Sequence, residues 1–221
     1  MTDTGQLLAA IRFADSAFPS GGFAFSSGLE GSHRDGLVCD EDDVTAFTAE
    51  QLHGRWHHCD RVLLRSAWAA DPAEVDLLAE ACATMSVLRE ASRRAGAATL
   101  ATFTAVVRAG AGEVADYRDR VLAGTAPGHL PVVQAVCLRA AGLTLATAET
   151  VAIWQVLSGI TGAALRLGII GHLGAQRIAT TLTPHLLDVL ALRPRTTPAP
   201  FTAYADIAAQ RRGDGVRLFA S

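Results

Sequence analysis

The densest group of side chains able to bind metal or move protons lies between residues 53 and 60. It reads His-Gly-Arg-Trp-His-His-Cys-Asp. His53 and His57 stand four residues apart, and on an α-helix this spacing puts both imidazoles on one face, as in HExxH zinc sites. Glycine follows His53 where that motif needs glutamate, so zincin chemistry is excluded. Two alternatives stay open: a polar helix face with incidental histidines, or a transition-metal site.

Two further patterns match ligand-binding motifs only formally. Residues 110–115 read GxGxxA, but they follow a helical run rather than a strand, so we interpret them as a link between helices. The acidic run 40–43 resembles the start of an EF-hand loop, yet the sixth position lacks glycine and the twelfth is Gln51. The sequence therefore predicts neither a dinucleotide site nor a calcium site.

The basic side chains of this chain are all arginines. Of the 221 residues, 19 are Lys or Arg, and no lysine occurs among them. A P-loop, a Schiff-base amine and a kinase β3 lysine are therefore excluded. The net charge of −3 argues against a nucleic-acid binder.

The composition favours an all-α protein. Alanine, the best helix former, is the commonest residue, whereas aromatic residues make up only 6%. The four cysteines are scattered, which predicts free thiols in a reducing, cytoplasmic setting. The most apolar stretch, residues 151–171, contains Gln155 and Arg166, so we expect a core helix and no membrane association.

Helical periodicity and helix-end signals predict a single-domain bundle of roughly eight to ten helices, covering residues 1–192. The predicted helical runs are 6–14, 44–70, 73–84, 86–107, 113–122, 131–141, 146–167 and 173–192. A Pro-rich connector over 193–200 should be extended, and with the tail it forms a segment 193–221. The tail ends in an apolar Leu-Phe pair beside an arginine, which suits docking on another protein.

The segment 15–30 interrupts this helical pattern. It reads Asp-Ser-Ala-Phe-Pro-Ser-Gly-Gly-Phe-Ala-Phe-Ser-Ser-Gly-Leu-Glu and holds three of the eight phenylalanines. Pro19 and the pair Gly21 and Gly22 break helical periodicity. Either this loop is tucked into the core, or its aromatic side chains bind a partner.

This segment strongly resembles the urease accessory protein F (UreF) family, whose pattern there is close to D-x-x-F-P-x-G-[GS]-[FY]-x-[YFH]-S-x-G-L-E. Residues 167–177, Leu-Gly-Ile-Ile-Gly-His-Leu-Gly-Ala-Gln-Arg, are similar to a second family motif. Residues 217–221, Arg-Leu-Phe-Ala-Ser, look like the family's closing S-R-L-F-x-S. The order and spacing of these motifs cover essentially the whole chain.

The resemblance implies an all-helical, cytoplasmic, non-catalytic accessory protein that forms a homodimer. It implies binding to the accessory protein UreD (UreH), recruitment of the GTPase UreG and delivery of nickel to urease apoprotein. Nickel is then handled by the complex, GTP is bound by the partner GTPase, and this chain holds no tightly bound cofactor. The alternative from another class is a metal-dependent helical enzyme that uses His53 and His57.

The resemblance also implies which residues meet partners. Phe23 and Arg217 are expected at or near the GTPase-facing surface, with Leu218 and Phe219 anchoring the tail in the UreD-type partner. The full partner-binding set expected from the motifs is Phe18, Pro19, Gly21, Gly22, Phe23, Phe25, Glu30, Arg217, Leu218 and Phe219. Two departures stand out: Phe23 and Phe25 lack the hydroxyl of the tyrosines common there, and Gly215-Val216 replaces an aromatic-serine pair.

Overall fold

The computed structural model describes residues 2–20, 26–107 and 111–201, and over these residues the fold is all-α. Its elements are α1 (Asp3–Ala14), α2 (Leu29–Arg34), α3 (Glu41–Glu50), a π-helical segment (Gln51–Asp60), α4 (Arg61–Ala69), α5 (Pro72–Cys82), α6 (Ser86–Val106), α7 (Ala111–Leu122), α8 (Leu130–Ala140), α9 (Leu145–Leu167) and α10 (His172–Ala191). The prediction of an all-α single-domain bundle is confirmed.

Short polar side chains set several of the helix starts. The Asp40 carboxylate accepts a hydrogen bond from the backbone N–H of Asp43 at 2.9 Å, at the start of α3. Thr144 caps α9 in the same way, and Asp71 caps α5 directly before Pro72. Each cap satisfies a backbone N–H group that the first turn leaves without a partner, which is why these boundaries were predictable from sequence.

The run 44–70, predicted as one long helical region, has an unusual middle. Between α3 and α4 the chain is π-helical, and at its end the backbone N–H of Arg61 donates to the carbonyl of Trp56, five residues back. A π-helix repeats its hydrogen bonds every five residues instead of four, so it brings residues four and five apart to one side. Such segments are rare and often lie at functional sites.

The core is built around α8 and α9. On α8, Val132, Val133 and Val136 are fully buried, and α9 contributes Ile153 and Leu157. The helices α4 and α6 pack on α8, while α1 and α10 pack on α9. Among the described helices, α9 alone is long and apolar enough to cross a membrane by length and composition. Its buried side chains lie inside the bundle, as expected for a core helix.

Candidate partner-binding site

The first half of the segment 15–30 is fastened to the core. The carboxylate of Asp15 accepts from the backbone N–H of Ala17 at 2.8 Å, which turns the chain at the end of α1. The half-buried ring of Phe18 packs edge-on against Phe13, with ring centroids 5.3 Å apart. Phe13 in turn stacks on Phe103 of α6 at 5.4 Å. Phe18 is thus held against the core.

The backbone on either side of residues 21–25 is also fixed. The hydroxyls of Thr102 and Thr99 on α6 donate to the carbonyls of Pro19 and Ser20, at 2.9 and 3.1 Å. After the gap, Ser26 is buried and its hydroxyl accepts from the backbone N–H of Glu30. Seven members of the expected partner-binding set lie outside the described residues. Four belong to the loop and three to the tail: Gly21, Gly22, Phe23, Phe25, Arg217, Leu218 and Phe219.

A cavity of about 190 Å³ lies next to the residues that flank the loop. Ser20 and Ser27, which flank the loop, both line it, and the π-helical segment forms another wall. The remaining lining residues come mainly from α6, α8 and α9. They include Leu88, Ala91, Ser92, Ala95, Leu130, Pro131, Gln134, Ala152, Gln155, Val156 and Gly159.

The π-helical wall presents polar side chains to this cavity at spacings of four and five residues: Gln51, Arg55, Trp56 and Asp60. Neither Nε2 nor Oε1 of buried Gln51 has a hydrogen-bond partner among the described residues. Asp60 is half-buried at the edge of the cavity, and desolvation raises the pKa of its carboxyl, while Arg55 and His129 act in the opposite direction. On this wall the Gln51 amide thus keeps its hydrogen-bonding capacity unused among the described residues.

The three histidines of the π-helical segment cluster on its other side. The ring centroids of His53 and His57 are 5.9 Å apart, and His58 lies 4.9 Å from His57. The Nδ1 atom of His57 accepts from the guanidinium of Arg61 at 3.1 Å. Burial, Arg61 and the neighbouring histidines lower the pKa of His57 to about 4, so it is neutral at pH 7.

This geometry bears on the metal hypothesis. A permanently charged guanidinium occupies the Nδ1 lone pair of His57, and a nearby positive charge disfavours a second cation. Within the residues that the structure describes, no three His, Cys, Asp or Glu side chains are grouped so as to hold a metal ion. The side chains of His53 and His57 are brought together as the spacing predicted, and His58 joins them through the π-helical register.

Arg61 itself is the centre of a buried ion-pair cluster. Its guanidinium binds the carboxylate of Glu149 on α9 at 2.9 and 3.3 Å. It also donates to the carbonyls of Val189, Leu190 and Leu192 at the end of α10, at distances of 2.8 to 3.1 Å. Arg65 adds a second contact to Glu149 at 2.9 Å. The cluster therefore joins α4 to α9 and to the carboxyl end of α10.

The chain after α10 packs back onto the π-helical segment. Pro198 is buried, and the backbone N–H of Ala199 donates to the carbonyl of His58 at 2.9 Å. The ring of Phe201 lies directly on Gly54, where an added Cβ would stand 2.8 Å from two ring carbons. The connector 193–200 is non-helical, as predicted, but it is docked at its carboxyl end.

The second motif joins three helices. Gly168 ends α9 with a left-handed φ of 75°, a conformation that glycine adopts without strain. Arg177 on α10 makes a two-point ion pair with Glu41 on α3, at 2.8 and 2.6 Å. Gly174 leaves room for this pair, because a Cβ there would lie 2.8 Å from the Glu41 carboxylate. These residues of the motif hold α3 against α10.

Sequence reasoning missed Gln51, Arg55 and Asp60 as cavity residues and Gly54 and Phe201 as a contact. The run 53–60 had been singled out for its ligand-type side chains, but an α-helical spacing was assumed for it. Gly54 in the middle of this run was an available signal, since glycine inside a helix often marks a close approach by another group.

Comparison with known proteins agrees with these motifs. The UreF family model matches residues 38–183, about two thirds of the chain. The urease accessory protein UreF of Arthrobacter sp. (strain FB24) is 31% identical over 89% of this chain and 87% of the relative. That of Rhizobium etli (strain CIAT 652) is 31% identical over 100% of both chains, and that of Mesorhizobium japonicum is 30% identical over 89% and 87%. The chain therefore belongs to the UreF family of urease accessory proteins.

Proposed function

We propose that this chain is a non-catalytic scaffold in urease maturation that works in the cytoplasm as a homodimer. In this proposal it binds a UreD-type protein, recruits a UreG-type GTPase and so supports nickel transfer to urease apoprotein. Family membership supports a role in urease maturation. The choice of partners rests on the resemblance of the loop and tail motifs.

One observation gives the proposal its best support. The residues that flank the glycine-rich loop and the residues that precede the tail lie close together. Ser20 and Ser27, which flank residues 21–25, line the same cavity as Arg55 and Leu88. Arg55 and Leu88 also line the small pocket that contains Pro200 and Phe201, directly before the tail. A partner could therefore contact the glycine-rich loop and the C-terminal segment together.

The absence of lysine supports a division of labour with the GTPase. Without a Walker A lysine this chain has no P-loop, so nucleotide chemistry belongs to the partner. A scaffold can still couple to nucleotide state, provided that it binds one GTPase conformation more tightly than the other. Arg217 is the cation of the tail motif proposed for this contact.

The test is co-expression with UreD- and UreG-type proteins, followed by size-exclusion chromatography. We expect deletion of residues 211–221 to abolish co-elution with the UreD-type protein while the helical circular dichroism is unchanged. Phe23→Ala and Arg217→Ala should weaken GTPase recruitment at least tenfold, since contacts near the centre of an interface contribute more than about 1.4 kcal/mol. Leu187→Ala, an exposed change on α10 outside the family motifs, is the control.

Two results would contradict the proposal. Full complex formation by the deleted chain would remove the tail from the interface. Unchanged GTPase binding by both point variants would remove the loop and Arg217. Urease activity in cells that carry each variant, assayed after nickel addition, links complex formation to maturation.

A further inference from the structure

The π-helical segment holds the root of the C-terminal segment through several independent contacts. Pro198 is buried, Ala199 donates to the carbonyl of His58 at 2.9 Å, and Phe201 rests on Gly54. Pro200 and Phe201 also line a small pocket with Arg55, Cys59, Cys82 and Leu88. Residues 198–201 are thus held in place by burial, by a backbone hydrogen bond and by close packing of the Phe201 ring.

Gly54 is the residue that makes this arrangement possible. A Cβ at position 54 would lie 2.8 Å from the Cε2 and Cζ atoms of Phe201 and 3.1 Å from Cε1. Carbon atoms do not approach this closely, so any larger residue displaces the ring. Glycine costs a helix up to about 1 kcal/mol relative to alanine, and here the close approach of Phe201 accounts for its presence.

We propose that Gly54 and Phe201 form a seat that positions the C-terminal segment for partner binding, with the UreD-type protein as the partner. This inference rests on the proposed function. With the seat formed, Arg217 follows the docked residue Phe201 by 16 positions; without the seat, it follows the end of α10 at Leu192 by 25 positions. A shorter tether raises the effective concentration of the segment at a bound partner, and a fixed root lowers the ordering cost of binding.

The seat also fixes Phe201, the residue before the tail, close to the residues that flank the glycine-rich loop. Arg55 and Leu88 stand between the Phe201 pocket and the cavity under Ser20 and Ser27. A displaced root would leave each segment intact but change where the tail begins. Gly54 and Phe201 are accordingly positioning residues, and their loss should weaken binding without removing any residue of the loop or tail motifs.

The seat can be tested directly by limited trypsin digestion of the full chain. The bond after exposed Arg195 lies in the docked connector, whereas proline protects the bond after Arg193. We expect Gly54→Ala and Phe201→Ala to speed cleavage after Arg195 about tenfold, because cleavage follows the population of the open connector. Gly112→Ala is the matched control, since Gly112 is a helical glycine on α7 that lines neither pocket, and a Cβ there meets nothing within 4 Å.

The positioning role is tested by the affinity of the same variants for the UreD-type protein. We expect two- to tenfold weaker binding for Gly54→Ala and Phe201→Ala, with Gly112→Ala equal to wild type. Unchanged cleavage after Arg195 in both variants would overturn the seat. Faster cleavage with unchanged affinity would overturn its positioning role.

A chain shortened after Phe201 separates this inference from the function on which it rests. If the shortened chain binds the UreD-type protein as well as the full chain does, the tail is not in the interface. The part of the proposed function that assigns UreD binding to the tail is then wrong. If the shortened chain fails to bind while Gly54→Ala binds normally, the proposed function stands and the positioning role is wrong. Circular dichroism and thermal unfolding of each variant identify any loss of fold.

Discussion

The two sides of the π-helical segment treat buried polar groups in opposite ways. On the side toward α10, His57 and Arg61 are engaged by one another, by Glu149 and by three backbone carbonyls. On the cavity side, the buried amide of Gln51 has no partner among the described residues, and burial raises the pKa of Asp60. One side of the π-helical segment thus borders a buried cluster of hydrogen-bonded charges, and the other side carries a buried amide without a described hydrogen-bond partner.

This difference in hydrogen bonding suggests different roles: the cluster around Arg61 stabilises the fold, whereas the Gln51 amide remains available to bind another group. A buried charge with a complete set of partners locks the elements that supply those partners, here α4, α9 and the end of α10. A buried amide without partners costs free energy in the folded chain, and such sites persist where they serve something other than stability. We therefore expect substitutions on the two sides to change the free energy of unfolding by different amounts.

The largest expected effect comes from breaking the cluster around Arg61. Glu149→Ala should lower the free energy of unfolding by about 3–5 kcal/mol, because Arg61 keeps its charge in a site that is 3% exposed. Urea unfolding followed by circular dichroism measures this loss. Arg65→Ala removes the other partner of Glu149, but Arg65 is 38% exposed, so less than about 1 kcal/mol should be lost. Equal losses in the two variants would contradict the comparison.

A smaller effect is expected from acid. The pKa of His57 is lowered from 6.5 to about 4 in the folded chain, so between these values the unfolded state binds more protons than the folded state. Stability should therefore fall as the pH drops from about 6.5 to about 4, with a contribution of at most about 1.4 kcal/mol per pH unit from this group.

The variant His57→Gln isolates this contribution, because glutamine offers Arg61 an acceptor and does not titrate. Its stability should depend less steeply on pH over that window than that of the wild type. Parallel pH profiles for the two proteins, measured by urea unfolding, would show that His57 is not the group responsible.

The smallest effect is expected on the cavity side. Gln51→Met replaces an amide that has no described partner with an apolar chain of similar length, and should leave the free energy of unfolding within about 1 kcal/mol or raise it. The control is Gln155→Met. Gln155 donates to the carbonyl of Phe13 at 2.7 Å and accepts from Gln134 at 2.6 Å, so its loss should cost about 1–3 kcal/mol. A larger loss for Gln51→Met than for Gln155→Met would reverse the comparison.

Much of the fold was predictable because local signals and tertiary structure agree. The caps at Asp40, Asp71 and Thr144 mark helix starts in the sequence, and their side chains make the expected bonds in the structure. The apolar stretch beginning at Val151 is the core helix that its composition indicated. These features depend on residues close together in sequence, so periodicity and capping rules detect them.

The candidate site was less predictable, since its geometry depends on contacts between distant residues. The spacing of His53 and His57 gave no sign that the backbone around them is π-helical, and it was this register that added His58 to the cluster and placed Gln51 and Asp60 on one wall. The contact of Phe201 with Gly54 spans 147 positions of the sequence. The partner-binding roles of the loop and tail residues stay predictions.

The packing of Phe201 on Gly54 also decides where the chain can be shortened without destabilising the fold. A chain ended at Leu192, the point that the last helix suggests, would lose buried Pro198 and uncover the backbone at Gly54 on which Phe201 rests. A chain ended after Phe201 keeps Gly54 covered and still omits the tail. Proteins shortened at these two positions should therefore differ in solubility as well as in stability, and the longer one is the better starting point for crystallisation.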